Sequence, residues 1–239
     1  MKYALQSNQR VEATPKASGN CLCCGTEVLA VCGTKKVWHW RHKAKLNCDH
    51  WWENETQWHR NWKNHFPEEW QEVVHFAEDG EKHIADVKTN KGMVIEFQHS
   101  AIDRLEVESR CDFYKHMIWI VDVSKNKRLR EAIPPFSDTW ANEQFEYSRN
   151  RDDNWGSLKV PVFFDLGIDN WLVGQVPQRE ADNGFYKTHY LKKDYLIRAI
   201  LGSGKYTTST MKPPKENKNE YGYVTSPAAL YDFLKLDID

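Results

Sequence analysis

Five of the six cysteines of this chain lie in one short segment near its N-terminus, and this clustering restricts the possible folds more than any other feature. They occupy positions Cys21, Cys23, Cys24, Cys32 and Cys48. In a cytosolic protein such clustering favours metal binding over disulfide formation. The segment is therefore expected to fold around a metal ion.

The spacing of Cys21 and Cys24, followed by Gly25, is typical of a zinc knuckle, in which two thiolates face one tetrahedral ion and the glycine relieves the backbone. His39 and His42 follow and would complete a closed zinc site. Two further residues compete for the same role: Cys48 and His50. The alternative is that these are ordinary buried thiols and core histidines. A closed four-ligand site leaves no position for substrate, so its expected role is structural.

Charge and hydropathy restrict the partners and the location. The chain has 33 Lys and Arg against 34 Asp and Glu, so its net charge of -1 provides no overall basic field for nucleic acid. A nucleic acid would have to bind a local patch. There is no apolar run of about 18 residues and no apolar signal-peptide segment. We therefore expect a cytoplasmic protein with no membrane partner.

The length of 239 residues suggests one large domain, with or without a small appendage. Changes in composition divide the chain into a zinc-binding segment at residues 1–50, a core at residues 51–178 and a basic, aromatic region at residues 179–239.

The order of apolar runs and turn residues predicts an α/β (α+β) fold. A hairpin is expected from residues 28–31 and 37–40. It is followed by a helix at 53–66, strands at 73–76, 82–88 and 93–98, a helix at 103–117 and a strand at 117–121. Residues 161–165 and 171–176 are two further expected strands. The order is helix, antiparallel strands, helix, strand.

Two carboxylates stand on consecutive predicted strands. Asp86 and Glu96 are each flanked by apolar residues, so that pairing of the strands would bring both into one cleft. Two negative charges there are tolerable only with a cation, for which Mg²⁺ or Mn²⁺ is suited. The alternative is a pair of ordinary solvated carboxylates.

The predicted helix before these strands carries Glu55, His59 and Lys63 at a spacing of four, and hence on one face. They could add a carboxylate, an imidazole and an ammonium group to the cleft. The alternative is a salt-bridged surface stripe. On the next helix, Arg110 and Tyr114 are candidates for a phosphate contact and an orienting group, or else for ordinary ion pairing and packing.

The segment 179–218 is basic and contains interleaved tyrosines, which suits binding to a nucleic-acid backbone and stacking on bases. The candidate phosphate contacts are Lys187, Lys192 and Lys193. The alternative is a solvated face of the tail.

The motifs together resemble the competence protein CoiA-like group of the PD-(D/E)XK nuclease superfamily. The resemblance covers residues 21–122 and rests on motif order: Cys21-x-x-Cys24-Gly25, His39-Trp-Arg-His42, Glu55 with His59 and Lys63, Ala85-Asp86-Val87, Ile95-Glu96-Phe97-Gln98-His-Ser100, Arg110-x-x-x-Tyr114 and Ile118-Trp119-Ile120. It implies a restriction-endonuclease-like core preceded by a zinc-binding segment. It also implies that Asp86, Glu96 and Glu55 hold the catalytic metal.

Gln98 departs from the superfamily pattern, which has a lysine two residues after the second carboxylate. A glutamine can position water but supplies no positive charge. Lys63 or Lys88 could replace that charge.

The predicted activity is Mg²⁺-dependent hydrolysis of phosphodiester bonds in DNA, with His59 and Gln98 orienting the attacking water or the phosphate. Two alternatives remain open: a catalytically inactive DNA-binding accessory protein, and a nuclease acting on RNA. Other recombination or defence proteins are conceivable partners.

Overall fold

A computed structural model of the chain describes residues 1–44, 48–51, 53–78, 80–126, 154–155, 158–167, 170–176 and 187–202. The described residues have a mixed α/β architecture, as the sequence pattern predicts, and contain three α-helices, of which the one at Lys193–Leu201 was not expected. The chain divides into two compact units, Met1–Met117 and Ile118–Asp239. Among the described residues, no helix combines the length and the apolar character needed to cross a membrane.

The first unit begins with an antiparallel sheet of five strands in the order β2-β1-β3-β4-β5. The strands are β1 (Tyr3–Gln6), β2 (Gln9–Glu12), β3 (Ser18–Asn20), β4 (Glu27–Val31) and β5 (His39–His42). The pairing of β4 with β5 confirms the predicted hairpin. Gly19 lets β3 approach β1 closely, because a Cβ there would lie 2.8 Å from the Leu5 carbonyl oxygen.

The core of this sheet is small and contains both apolar side chains and thiols. Trp40 is fully buried and donates its indole N–H to the Val11 carbonyl at 3.0 Å. Ala4, Val28 and Cys21 pack in the same cluster. The cysteine-rich segment is therefore part of the fold of the sheet.

The rest of the first unit is an antiparallel meander with two helices. Its strands are β6 (Gln71–Phe76), β7 (Lys82–Lys88) and β8 (Val94–Gln98), and all three agree with the sequence prediction. The helices are α1 (Gln57–Lys63) and α2 (Arg104–Tyr114), and a 3-10 helix covers Glu68–Trp70. Side chains alternate along β7, where His83, Ala85 and Val87 are buried.

Both helices are shorter than their hydrophobic patterns suggest. Helix α1 starts only after Thr56, whose hydroxyl accepts from the His59 N–H, while the His59 ring faces the Thr56 N–H to form a capping box. Helix α2 starts after Asp103, which accepts from the Glu106 N–H, and ends at Lys115, where φ reaches 58°. Capping and backbone reversal, which the hydrophobic spacing does not encode, set these ends.

The second unit contains strands β9 (Met117–Asp122), β10 (Val162–Asp165), β11 (Trp171–Val176) and β12 (Lys187–Lys192) and helix α3 (Lys193–Leu201). Strand β10 pairs with β9 in parallel, and β11 pairs with both β10 and β12 in antiparallel fashion. Strand β12 and α3 lie inside the segment expected to be a basic tail. Residues 177–186 and 203–239 fall outside the described ones.

We predict that Thr56→Ala lowers the free energy of unfolding by about 1 kcal/mol, because α1 loses its N-cap oxygen. Thr56→Ser keeps the oxygen and should stay within a few tenths of a kcal/mol of wild type. Urea unfolding followed by circular dichroism gives both values. Equal losses in the two variants would show that the threonine methyl group, and not the cap, stabilises this end.

Candidate functional site

Residues 21–25 form the predicted knuckle. The Gly25 N–H donates to the Cys21 carbonyl at 3.0 Å, and Gly25 adopts a φ of 73°, which glycine reaches without strain. The Cys23 N–H donates to the Cys21 sulfur at 3.4 Å. Burial raises the pKa of Cys21, and the N–H groups of Cys24 and Cys23 oppose that effect by stabilising the thiolate.

Four side chains next to this turn could hold a metal ion such as zinc: Cys21, Cys24, His42 and Cys48. One donor atom from each lies within 4.8 Å of the others. The sulfurs of Cys21 and Cys48 are 3.7 Å apart, and Cys24 Sγ is 3.3 Å from His42 Nε2. Two sulfurs bound at about 2.3 Å to one tetrahedral zinc lie about 3.8 Å apart, so the donor set fits the ion.

The ligand set differs from the prediction at one position, where Cys48 takes the place of His39. His39 and His42 are three residues apart on β5, and side chains at odd spacing on a strand point to opposite faces. His42 faces the cysteines, whereas His39 Nδ1 lies 2.9 Å from the Val37 carbonyl oxygen. A spacing that suits two ligands on a helix therefore fails on this strand.

The thiols affect one another's protonation strongly. Burial would raise the pKa of Cys24, but hydrogen bonds with Thr26, Cys48 and His42 outweigh it and lower the pKa to about 6. Burial raises the pKa of Cys48 far above its usual range, and the sulfurs of Cys24 and Cys21 raise it further. The three sulfurs could all be thiolates at this distance only with a cation between them, which is the condition for a structural metal centre.

We predict that Cys24→Ser loses the metal while His39→Ala keeps it. We call Cys21, Cys24, His42 and Cys48 the cysteine centre, which should carry one equivalent of zinc in wild type. Inductively coupled plasma mass spectrometry should find this equivalent of zinc missing only in Cys24→Ser. Cys24→Ser should also unfold at a lower temperature, because structural zinc stabilises the folded chain. Zinc lost in His39→Ala and kept in Cys24→Ser would contradict the ligand set.

A second group of functional side chains surrounds a pocket where β7 and β8 separate. In the strand ladder, Val87 pairs with Ile95. Next to this pair, the carboxylates of Asp86 and Glu96 each accept a backbone N–H from the opposite strand. The Asp86 N–H donates to Glu96 Oε1 at 3.2 Å, and the Phe97 N–H donates to Asp86 Oδ2 at 3.0 Å. The two predicted carboxylates therefore share one site, fixed by the backbone of the opposite strand.

The ammonium group of Lys63 is buried among carboxylates at this pocket. Its Nζ lies 2.9 Å from Asp86 Oδ1 and 3.1 Å from Glu72 Oε1, with Glu55 Oε1 at 3.7 Å. Burial opposes the charged ammonium, but the three carboxylates outweigh it and raise the pKa of Lys63 well above its usual value. Lys63 is therefore a permanent positive charge beside Asp86.

Glu72 is a pocket residue that the sequence does not reveal. It lies opposite Asp86 between the ladder pairs Gln71–Val87 and Val73–Ala85, and its φ of 49° is rare for a residue with a side chain. Its oxygens accept the N–H groups of Lys2 at 2.6 Å and Tyr3 at 2.9 Å. Burial alone would raise the pKa of Glu72, but the charge of Lys63 and these two donors bring it down to about 2.

Glu55 is held by cations at both of its oxygens. Arg60 donates to one oxygen from Nε at 3.0 Å and to the other from Nη2 at 3.2 Å. Lys63 Nζ lies 3.7 Å from Glu55 Oε1. The sequence pattern predicts Glu55 on the same helix as His59 and Lys63, but Glu55 precedes the N-cap Thr56 and is outside α1. All three side chains nevertheless line the pocket. Its contacts orient Arg60 and Lys63.

Glu96 is buried against Arg110, with Nη1 at 3.0 Å from Oε2. Burial raises the pKa of Glu96 to about 8, the charge of Asp86 adds to this, and Arg110 opposes it. Arg110 also donates to the Trp51 carbonyl at 2.6 Å and contacts Glu106. These contacts give Arg110 a role in orienting Glu96, and its predicted phosphate contact stays a prediction.

His59 and Tyr114 line the same pocket. His59 Nδ1 lies 2.8 Å from Thr56 Oγ1, and Nε2 lies 3.2 Å from the Phe97 carbonyl oxygen, so both ring nitrogens face protein groups. The Tyr114 hydroxyl is buried and has no hydrogen-bond partner among the described residues. A buried donor of this kind is available to a water molecule or a ligand in the pocket.

Gln98 is buried and turned away from this group. Its Nε2 donates to the Ser100 carbonyl at 3.0 Å, while its Oε1 has no partner within the described part of the chain. Lys88, the other candidate for the missing charge, lies 2.9 Å from His75 Nδ1. Of the two lysines considered, Lys63 is the one beside the carboxylates.

Two of the three predicted phosphate contacts of the second unit, Lys192 and Lys193, already have partners within it. Lys193 forms an ion pair of 2.8 Å with the buried Asp165, and Lys192 lies 5.3 Å from the centre of the Trp171 ring. Lys187 belongs to β12, and its side chain is outside the described set. The role of these lysines in binding nucleic acid stays a prediction.

Comparison with known proteins gives no relative, so the function of the pocket has to be inferred from the chemistry of its side chains. The chain matches no family model, no curated protein and no solved structure.

We predict that Glu96 makes the folded chain less stable as the pH rises. The pKa of Glu96 is about 8 in the folded chain and ordinarily 4.5, so between these pH values the folded chain keeps a proton that the unfolded chain loses. The stabilising contribution is therefore full below pH 4.5 and is lost as the pH rises to about 8. The slope for one proton is up to about 1.4 kcal/mol per pH unit. Glu96→Gln should remove this component of the free energy of unfolding, measured without added divalent ions.

Glu69→Gln is the matched control, because Glu69 is exposed on the 3-10 helix. Its pH profile should follow that of wild type. An unchanged slope in Glu96→Gln would mean that Glu96 is ionised in the folded chain at neutral pH.

Proposed function

We propose that this chain is a metal-dependent nuclease acting on DNA, with a restriction-endonuclease-like core of the PD-(D/E)XK, CoiA-like type. The observation that carries the proposal is the meeting of Asp86, Glu96 and Lys63 at one pocket. Lys63 Nζ lies 2.9 Å from Asp86 Oδ1, and the Asp86 N–H donates to Glu96 Oε1. Paired carboxylates with a fixed positive charge are the groups that phosphodiester hydrolysis requires.

Lys63 compensates for the glutamine at position 98. The superfamily pattern places a positive charge near the second carboxylate, and Lys63 brings one to Asp86 from α1 instead of from β8. Its ammonium is held by Glu72 and Glu55 as well, which fixes its position. In this proposal it stabilises the negative charge that develops on the phosphate.

Asp86 and Glu96 would hold Mg²⁺ or Mn²⁺, which supplies an activated water and a Lewis acid when bound. Carboxylate oxygens are the ligands that these hard cations prefer. Arg110 keeps Glu96 directed at the pocket, and the His59 ring fixes the Phe97 carbonyl next to Glu96. The Tyr114 hydroxyl, buried without a partner among the described residues, is placed to donate to a phosphate oxygen.

The direct test is incubation of the purified chain with labelled linear, circular and single-stranded DNA in Mg²⁺, Mn²⁺ or neither ion. We expect cleavage only with a divalent ion, and a loss of at least about 100-fold in Asp86→Asn and Glu96→Gln, equivalent to at least about 2.7 kcal/mol of lost transition-state stabilisation. Glu69→Gln, the exposed control, should cleave like wild type. Equal cleavage by Asp86→Asn and wild type would contradict the site.

A second candidate is a DNA-binding accessory protein without catalysis. It is favoured by one observation: Asp86 and Glu96 already have cationic partners in Lys63 and Arg110. This candidate predicts DNA binding at every ion condition, no cleavage, and the same affinity in Asp86→Asn. An RNA substrate in the same panel tests the remaining alternative, a ribonuclease.

A further inference from the structure

A third cluster of metal-binding side chains lies beside the cysteine centre and is distinct from it. Asp49, His50 and His83 each bring one donor atom within 4.8 Å of the other two. His83 stands on β7, is 2% exposed, and has Nδ1 2.8 Å from Asp49 Oδ1. The His50 and His83 rings are 5.1 Å apart and perpendicular.

We propose that Asp49, His50 and His83 bind a second ion, a divalent transition metal such as Zn²⁺, Mn²⁺ or Co²⁺. Two imidazoles and a carboxylate form a borderline donor set that suits these ions better than Ca²⁺ or Mg²⁺. Two donor atoms bound at about 2.1 Å to one ion lie about 3.0 Å apart in octahedral and about 3.4 Å apart in tetrahedral geometry. Asp49 Oδ1 and His83 Nδ1 are 2.8 Å apart and would separate by a few tenths of an ångström to hold the ion.

The surroundings of these residues also fit a metal centre. His83 Nε2 lies 3.0 Å from Glu81 Oε1, and a metal-binding histidine commonly pairs its second nitrogen with a carboxylate. The Ile84 N–H donates to Asp49 Oδ2 at 2.8 Å, and the Trp51 N–H donates to Asp49 Oδ1 at 3.0 Å, so that backbone donors fix the carboxylate with Oδ1 facing His83 Nδ1. Trp51 stacks on the His83 ring at 3.4 Å and fixes its plane.

The second centre would differ from the cysteine centre in kind. Three protein ligands leave at least one coordination position for water or a ligand, whereas three thiolates and an imidazole close a tetrahedral ion. Asp49 is also a wall residue of the carboxylate pocket. The proposal does not depend on nuclease activity, because its test measures metal content.

The experiment is metal analysis of the full chain after removal of bound zinc with a chelator, reconstitution with Co²⁺ in excess Mg²⁺ to occupy the carboxylate pocket, and removal of unbound Co²⁺. Wild type should bind two equivalents, of which one shows the sulfur-to-cobalt absorption of thiolate ligands. His50→Ala should lose one equivalent and keep the thiolate absorption, whereas Cys24→Ser should lose the thiolate absorption and keep the other equivalent. His39→Ala, the matched histidine control, should keep both.

His50 is exposed, so His50→Ala is expected to leave the fold intact, which circular dichroism would check. A single equivalent in wild type would overturn the proposal and leave His83 as an imidazole held between Asp49 and Glu81. Two equivalents retained in His50→Ala would overturn the assigned ligand set.

Discussion

The buried ammonium group of Lys63 is the interaction on which the first unit depends. A charge removed from water is tolerated only when opposite charges surround it, and Lys63 meets carboxylates from three separate parts of the chain. Glu55 precedes α1, Glu72 lies on β6 and Asp86 lies on β7. Glu72 in turn accepts two backbone N–H groups, one from Tyr3 at the start of β1 and one from Lys2 just before it. One ion cluster thus joins the helix, the meander and the N-terminal sheet.

The cysteine centre and the carboxylate pocket are joined through β7. Asp49 follows Cys48 directly, and its carboxylate accepts the Ile84 N–H two residues before Asp86. Lys82, at the start of the same strand, donates to the Cys23 carbonyl at 2.8 Å. These contacts connect the side chains that could hold a metal ion with the strand that carries Asp86. An ion bound by the cysteines would therefore stabilise the pocket without a place in its chemistry.

Local patterns in the sequence were enough for part of this account. Turn residues separate the strands of the meander, and their pairing places Asp86 opposite Glu96. The Cys-x-x-Cys-Gly turn identifies half of the metal centre. The prediction of His39 as a metal ligand was wrong because it rested on spacing alone and ignored the alternation of side chains along β5. Glu72 was missed because its place in the pocket depends on a positive φ, which no periodicity encodes. Strands β1 to β3 are only three or four residues long, so their pairing is a property of the tertiary fold.

The central claim, that the Lys63 cluster organises the first unit, is tested most directly by a double-mutant cycle with Lys63→Met and Glu72→Gln. Lys63→Met leaves the buried Glu72 without its cation, and Glu72→Gln removes one of the three carboxylates around Lys63, so each should lower the free energy of unfolding by about 1 to 5 kcal/mol. The double variant should be more stable than the sum of the two losses predicts, with a coupling energy of at least about 1 kcal/mol in urea unfolding. A coupling energy indistinguishable from zero would show that the two groups act independently and would contradict the claim.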